Sequence, residues 1–334
     1  MKAIARLIIY SSVGLLAAVL PLFLDIPKPT MTLLNTAVIY SIIAVGYNIL
    51  LGYGGQISLG HAVFMGLGAY MSAYMTAQMK LPFVLSLVIS GLVPMLIGAL
   101  LGLAALRLEG HYLAIATLGF GVAVQQVFKE WVPFTNGYSG VKAPYPQILF
   151  FEIKSREHFF IMSAAILILL CIFAFNMINS KTGRALIAMR DSEHAAQAMG
   201  ISLFKYKLIA FAVSAFYAGV AGSLYAHLIR FIEPSMWSIE LSLNLLAMVV
   251  IGGLASIGGA IVGAFFLTLV PEIIKSIPFL EHLRNFTYIF TGACLIIAII
   301  FMPYGLSRLG SQLRHKYGSI LTGLLASKGK GRDA

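Results

Sequence analysis

Residues Ser180–Lys207 read SKTGRALIAMRDSEHAAQAMGISLFKYK and form the longest charged segment of a chain that is otherwise almost continuous hydrocarbon. Ala185, Ala188, Ser192, Ala195 and Met199 recur at helical spacing, which predicts one short helix with a face of small or apolar side chains. Arg184, Arg190, Asp191, Glu193 and His194 fall off that face. Thr182 is placed to cap its start, and Gly200 to end it in a left-handed turn. A helix of this kind, held between apolar runs, suits docking against another protein. The segment therefore marks the point where a membrane domain would receive force from a partner.

The bulk composition agrees with a membrane chain. Hydrophobic residues make up 60% of it and charged residues 10%, with mean hydropathy +0.92; soluble domains carry about 25% charged residues. The net charge of +11 does not indicate nucleic acid, because the basic residues are scattered between apolar runs. Orientation in a bilayer explains it better. Cys171 and Cys294 each sit in an apolar run, giving no disulfide framework and no metal site. The first residues, MKAIARLIIYSSVGLLAAVLPLFL, look like a signal peptide, yet Asp25, Pro27, Lys28 and Pro29 follow instead of a small-residue cleavage site. They read as a retained first span.

Apolar runs long enough to cross a bilayer fall at 5–24, 31–51, 57–79, 82–106, 111–129, 158–178, 207–228, 238–254, 259–275 and 284–302. The expected fold is an all-α polytopic membrane protein of about ten transmembrane helices (eight to ten). Residues 1–302 form a single transmembrane domain, and 303–334 a basic tail. The glycine-rich segments at 52–60 and 252–259 are either re-entrant or spanning. With the N-terminus inside, the inner segments hold 14 basic residues against four acids, and the outer ones nine against eight. That asymmetry puts both termini and the loop 180–207 in the cytoplasm. Trp131 and Trp237 then lie at outer span ends, where an aromatic belt belongs.

Gly52–Tyr70, GYGGQISLGHAVFMGLGAY, carries glycines at 52, 54, 55, 60, 66 and 68. Clustered glycine lets helices approach closely or unwind, and unwound backbone is tolerated at membrane depth only where it is buried or lines a wet cavity. Asn48, Gln56, Ser58, His61, Thr117 and Asn244 are the candidates for a polar translocation pathway. For each of them taken alone, ordinary interhelical hydrogen bonding is the favoured account. A looser echo, GGLASIGGAIVGA, spans Gly252–Ala264.

Absences narrow the chemistry. The sequence contains no G-x-x-x-x-G-K-[ST] and hence no P-loop for ATP. No nucleophile-plus-base pattern stands out, so no catalytic residue is assigned, and the seven histidines show no metal-ligand spacing. Glu130, Glu233, Glu240, Glu272 and Glu281 sit near outer span ends, leaving no mid-depth carboxylate of the kind an ion-coupled secondary carrier keeps. Energy would then come from another polypeptide.

The chain resembles the M-type permease subunits of bacterial branched-chain amino-acid ABC importers. The matching runs are GYGGQISLGHAVFMGLGAY (52–70), RLEGHYLAIATLGF (107–120), TNGYSGV (135–141), GRALIAMRDSEHAAQAMGI (183–201), KLIAFAVSAFYAGVAGSLYA (207–226), VIGGLASIGGAIVGA (250–264) and MPYGL (302–306). Urea-type permeases share the glycine-rich motif, so urea or other amino acids are alternative substrates. The resemblance implies an ABC importer permease fold in the bacterial inner membrane. It also implies a second homologous permease, two cytoplasmic ATPases that bind the ATP, and a periplasmic binding protein; no cofactor belongs to this chain. The EAA-like coupling motif of such permeases maps onto Glu193, Ala195, Ala196 and Gly200, with His194 interrupting it. Arg184 and Arg190 join them on charge and position, as partners for acidic groups on an ATPase.

Overall fold

The computed structural model describes residues 26–105, 110–148 and 151–275, with Gly292, Ala293 and Ile296. The apolar runs 5–24 and 284–302 and the basic tail lie outside the described residues. Between them the helices follow the apolar runs closely: α1 Lys28–Asn48, α2 His61–Ala77, α3 Phe83–Ala105 and α4 His111–Glu130. A short α5 (Val132–Thr135) begins the loop to α6 (Arg156–Asn179). The charged segment forms α7 (Lys181–Asp191) and α8 (Glu193–Ala198), followed by α9 (Leu203–Ile229), α10 (Ile239–Gly252) and α11 (Ile257–Lys275). Among the described residues, five helices are long and apolar enough to cross a membrane: Lys28–Tyr53, Phe83–Leu103, His111–Glu130, Arg156–Asn179 and Leu203–Ile229. Helices α2, α10 and α11 are shorter. At ~1.5 Å per residue, the 14 residues of α10 rise only about 21 Å, less than the ~30 Å of a hydrocarbon core.

Burial sorts the bundle into a centre and a rim. In α1 and α9 the apolar span is 78% and 72% buried, against 28–33% in α3, α4 and α6. The central helices can pack so closely because small residues line their contacts. A Cβ on Gly68 would stand 2.2 Å from the Gly219 carbonyl oxygen, and one on Gly222 1.9 Å from that of Met65. Backbone therefore meets backbone between α2 and α9. On the rim, Leu92, Leu96, Leu100, Ile115 and Leu169 point outward; in a bilayer these side chains would meet acyl chains.

The loop from Trp131 to Ser155 folds over the end of the bundle remote from α7 and α8. Its β1 (Val141–Lys142) pairs antiparallel with Phe231–Ile232, just beyond α9, and β2 (Gln147–Ile148) pairs with β3 (Phe151–Glu152). The Arg230 guanidinium lies 3.8 Å over the Tyr145 ring, and His227 Nδ1 is 2.8 Å from the Pro144 carbonyl. The loop is thus tied to α9 by charge, ring and backbone.

Four local expectations are corrected. Residues 57–60 do not belong to α2, which starts at His61; side chains from other helices take up the backbone groups of the preceding residues, as described below. The charged segment is not one helix. Ser192 adopts extended backbone (φ −163°, ψ 112°) and its hydroxyl caps α8 by accepting from Ala195 N–H, so the small-residue face does not run through. The buried side chains are Ala185, Leu186, Met189 and Ala196, while Ala195 and Met199 are exposed. Ser180, not Thr182, caps α7, its Oγ accepting from Thr182 N–H at 3.1 Å; Gly200 does take the left-handed conformation (φ +80°). Finally, Trp237 is no belt residue. It is 1% exposed, set against Gly66 and edge-on to Tyr225, whereas Trp131 is open to the surroundings.

Candidate functional site

The two glycine-rich segments meet in space. Helix α1 ends in a π-helical turn at Ile49–Tyr53, and residues 54–60 run without helix to α2. This is the first break. The second, at residues 253–256, separates α10 from α11. Gly52 makes the approach possible: a Cβ there would sit 1.9 Å from Asn48 Oδ1 and 2.4 Å from Ala255 N.

Asn48 clamps the two breaks together. Its Oδ1 accepts from Ala255 N–H at 3.0 Å, and its Nδ2 donates to the Ser256 carbonyl at 2.8 Å. Gly253 (φ +122°) and Ala255 (φ +57°) both lie in the left-handed half of backbone space, a conformation that costs an alanine about 1 kcal/mol. The bond from Ala255 N–H to Asn48 helps to hold it there.

The first break is held from four helices. Tyr47 of α1 donates its hydroxyl to the Ser58 carbonyl at 2.5 Å. Thr117 of α4 accepts from Leu59 N–H at 3.0 Å, and Ser242 of α10 accepts from Ala62 N–H at 3.0 Å. His61 bridges Ser58 Oγ (3.2 Å) and Ser214 Oγ of α9 (2.7 Å) while stacking on the Tyr47 ring at 4.4 Å. A neutral imidazole donates at one nitrogen and accepts at the other, which is what two flanking hydroxyls can satisfy. Buried backbone that has left its helix needs partners from elsewhere: Tyr47 of α1 and Thr117 of α4 take groups of the break itself, Ser242 of α10 takes a free N–H in the first turn of α2, and Ser214 of α9 acts through the His61 ring.

Gln56 is different. It is 4% exposed, and among the described residues neither Oε1 nor Nε2 has a hydrogen-bond partner. A buried amide with no partner carries a desolvation cost of roughly 1–3 kcal/mol. It lies in the break closest to α7, with the neighbouring Gly55 packed against Arg190.

The six pathway candidates are therefore not equivalent. Gln56, Ser58, His61 and Thr117 are all buried and line or brace the first break, and Asn48, also buried, ties the second break to the end of α1. Asn244, on α10, is half-buried and takes no part in these hydrogen bonds. Tyr47, Ser214 and Ser242 complete the junction and were not singled out from sequence. Lone hydroxyls in apolar helices are common, and only the three-dimensional approach distinguishes these.

Residues 180–202 form an elbow below this junction. Arg190 Nη1 donates to the Gly52 carbonyl at 3.0 Å, and the same guanidinium pairs with Asp191 at 2.7 Å. Glu193 pairs with Lys207 of α9 at 2.7 Å, and Lys207 is 6% exposed. Ala196 is buried, while Arg184, Ala195 and Gly200 are exposed. Among the described residues, no cluster of His, Cys, Asp or Glu could hold a metal.

A bundle of apolar helices, opened at two adjoining glycine-rich breaks that polar side chains brace, is the architecture of an integral membrane permease. The family model for the permease component of branched-chain amino acid transport systems matches residues 30–299. The chain belongs to that family. It is 30% identical over 319 residues to the high-affinity branched-chain amino acid transport system permease protein LivM of Escherichia coli, covering 88% of this chain and 74% of that protein. A probable branched-chain amino acid transport permease LivM of Methanocaldococcus jannaschii is 23% identical over 62% of the chain and 63% of its own length. The autoinducer 2 import system permease LsrC of Photorhabdus laumondii is 36% identical over a shorter stretch, 30% of this chain and 33% of that protein. No solved structure matches the chain.

Proposed function

We propose that this chain is the membrane-spanning permease subunit of an ATP-driven importer that carries leucine, isoleucine and valine across a bacterial inner membrane. The supporting observation is the family match across residues 30–299 together with the high coverage of LivM. In this reading the chain works beside a second homologous permease, two cytoplasmic ATPases and a periplasmic binding protein. ATP is bound by the partner subunits. The loaded binding protein docks on the loop side, the elbow receives the ATPase, and closure of the ATPase pair opens a path past the first break.

Side-chain placement supports a division of labour within the elbow. Arg184, Ala195 and Gly200 are exposed and available to an ATPase surface, whereas Ala196 packs inward. Arg190 and Glu193 are assigned to the same coupling segment. For the path, the substrates are zwitterions with apolar side chains. Gln56 offers an acceptor and a donor that no described residue occupies, matching an ammonium and a carboxylate in passing. Ser58, His61 and Thr117 hold the break in shape around it, Asn48 ties the second break to the end of α1, and Asn244 lies off this junction.

The test is uptake by proteoliposomes holding the complete complex. Leucine uptake should require ATP and binding protein, and should stop when the partner ATPase loses its P-loop lysine. Uptake that survives that substitution and collapses with an uncoupler would instead mark an ion-coupled carrier. Because LsrC relatives also match part of the chain, autoinducer 2 belongs in the same assay; its uptake in place of leucine would move the substrate assignment.

A further inference from the structure

Two side chains of the elbow point at their own membrane domain. The Arg190 guanidinium reaches the Gly52 carbonyl at the end of the π-helical turn, and the Arg190 side chain covers Gly55, whose Cβ would lie 3.4 Å from Arg190 Cβ. Three residues on, the Glu193 carboxylate is held by Lys207 at 2.7 Å, and that lysine is almost wholly buried. A buried ammonium needs its counter-charge in place, because desolvation makes an unpaired one costly. From Gly52 the chain of contacts continues without a gap. Gly52 abuts Asn48 and Ala255, and Asn48 holds Ala255 and Ser256 in the second break.

We infer that Arg190 and Glu193 are positioning residues that latch the elbow to the membrane domain, so that elbow, first break and second break move as one body. This rests on the importer reading given above. It assigns Glu193 a role different from that of an ATPase contact: the carboxylate acts through Lys207, and Arg190 acts through the Gly52 carbonyl. A displacement of α7 and α8 is carried by the Arg190 bond into the turn after α1. The Asn48 amide carries it from there into the start of α11, and the Glu193–Lys207 pair carries it into the foot of α9. The geometry explains why the elbow is broken at Ser192. The extended residue, with α8 starting at Glu193, lets Arg190 and Glu193 reach two different helices.

The latch predicts a charge-swap rescue. In the reconstituted complex, Glu193→Lys and Lys207→Glu each lower the leucine imported per ATP hydrolysed by about tenfold, a change that loss of one charged bond can supply. The double swap regains at least half of the wild-type ratio. A swap as poor as Glu193→Lys alone would overturn the assignment and return the carboxylate to the ATPase, as would a wild-type ratio in either single variant.

A second measurement covers a swap that fails to assemble. Gly55→Cys with Arg190→Cys sets two Cβ atoms 3.4 Å apart, just under the ~3.5–4.5 Å of a disulfide, so a slight shift lets the bond close. Reduced, this pair should couple poorly, and oxidised it should regain coupling, because the covalent link replaces the Arg190 bond. Full coupling in the reduced state, or coupling abolished by oxidation and restored by reductant, would show that the elbow slides over the break. Gly55→Cys alone is the control for the left-handed backbone at that glycine (φ +68°). If the wild-type complex shows no ATP-driven uptake, the importer reading fails; if it does and neither rescue occurs, the latch alone fails.

Discussion

The two breaks are built from similar sequence and held in different ways. The first, at residues 54–60, is held directly by Tyr47 and Thr117 and, through His61 and Ala62 at the start of α2, by Ser214 and Ser242, and among the described residues its buried amide, Gln56, has no partner. The second, at residues 253–256, relies on Asn48 and on Ser256, whose hydroxyl accepts from Gly259 N–H at 3.0 Å. Glycines 252, 259 and 263 bring α10 and α11 into backbone contact, a Cβ on Gly263 standing 1.9 Å from the Met248 carbonyl. One break is braced from outside itself; the other is a tight corner with one external clamp. The contrast shows that glycine opens a membrane helix but does not decide what the opening is for. The surrounding polar side chains decide it.

Substitutions can sharpen that contrast, beginning with the largest effect. His61→Ala removes the ring stacked on Tyr47 and strands the hydroxyls of Ser58 and Ser214. About 3 kcal/mol of stability should be lost, visible as a lower Tm in detergent. Asn48→Leu keeps the branching at Cγ, in a bulkier side chain, and loses both bonds to the second break. Its cost should be smaller, about 1–2 kcal/mol, and leucine uptake should fall with it. If Asn48→Leu proves costlier than His61→Ala, the second break is the better-held element and the comparison inverts. Ser256→Ala deletes one cap at the start of α11 and should cost about 0.5–1 kcal/mol, read from the same melts.

Much of this was legible in the sequence. Span positions followed from run length, since hydrocarbon thickness sets a minimum that Lys28–Tyr53 and Leu203–Ile229 both meet. The importance of Gly52–Gly60 followed from glycine density, and four of the residues bracing or lining that segment, Gln56, Ser58, His61 and Thr117, were named from polarity alone, as was Asn48, which clamps the second break. The sequence could not show that Ser214, on a helix more than 150 positions away, would complete the His61 bridge, because one serine in an apolar helix carries no signal of its own. The elbow misled for a related reason. Helical periodicity through Ser192 was continuous, and it gave no sign that the serine would leave the helix to cap the next one. Trp237 shows the limit of the aromatic-belt argument: its position along the chain was right for an interface, but Gly66 leaves a hollow that takes the ring inward.

The amide of Gln56 offers the most direct test that the first break serves transport. Among the described residues nothing pairs with it, so Gln56→Leu should leave Tm unchanged or raise it, because an unpaired buried dipole disappears. Leucine uptake by the same preparation should fall roughly tenfold, since a hydrogen bond to a charged substrate group is worth about 1.5–3 kcal/mol. A Gln56→Leu complex that melts at or above the wild-type temperature and still imports leucine at the wild-type rate would contradict the account.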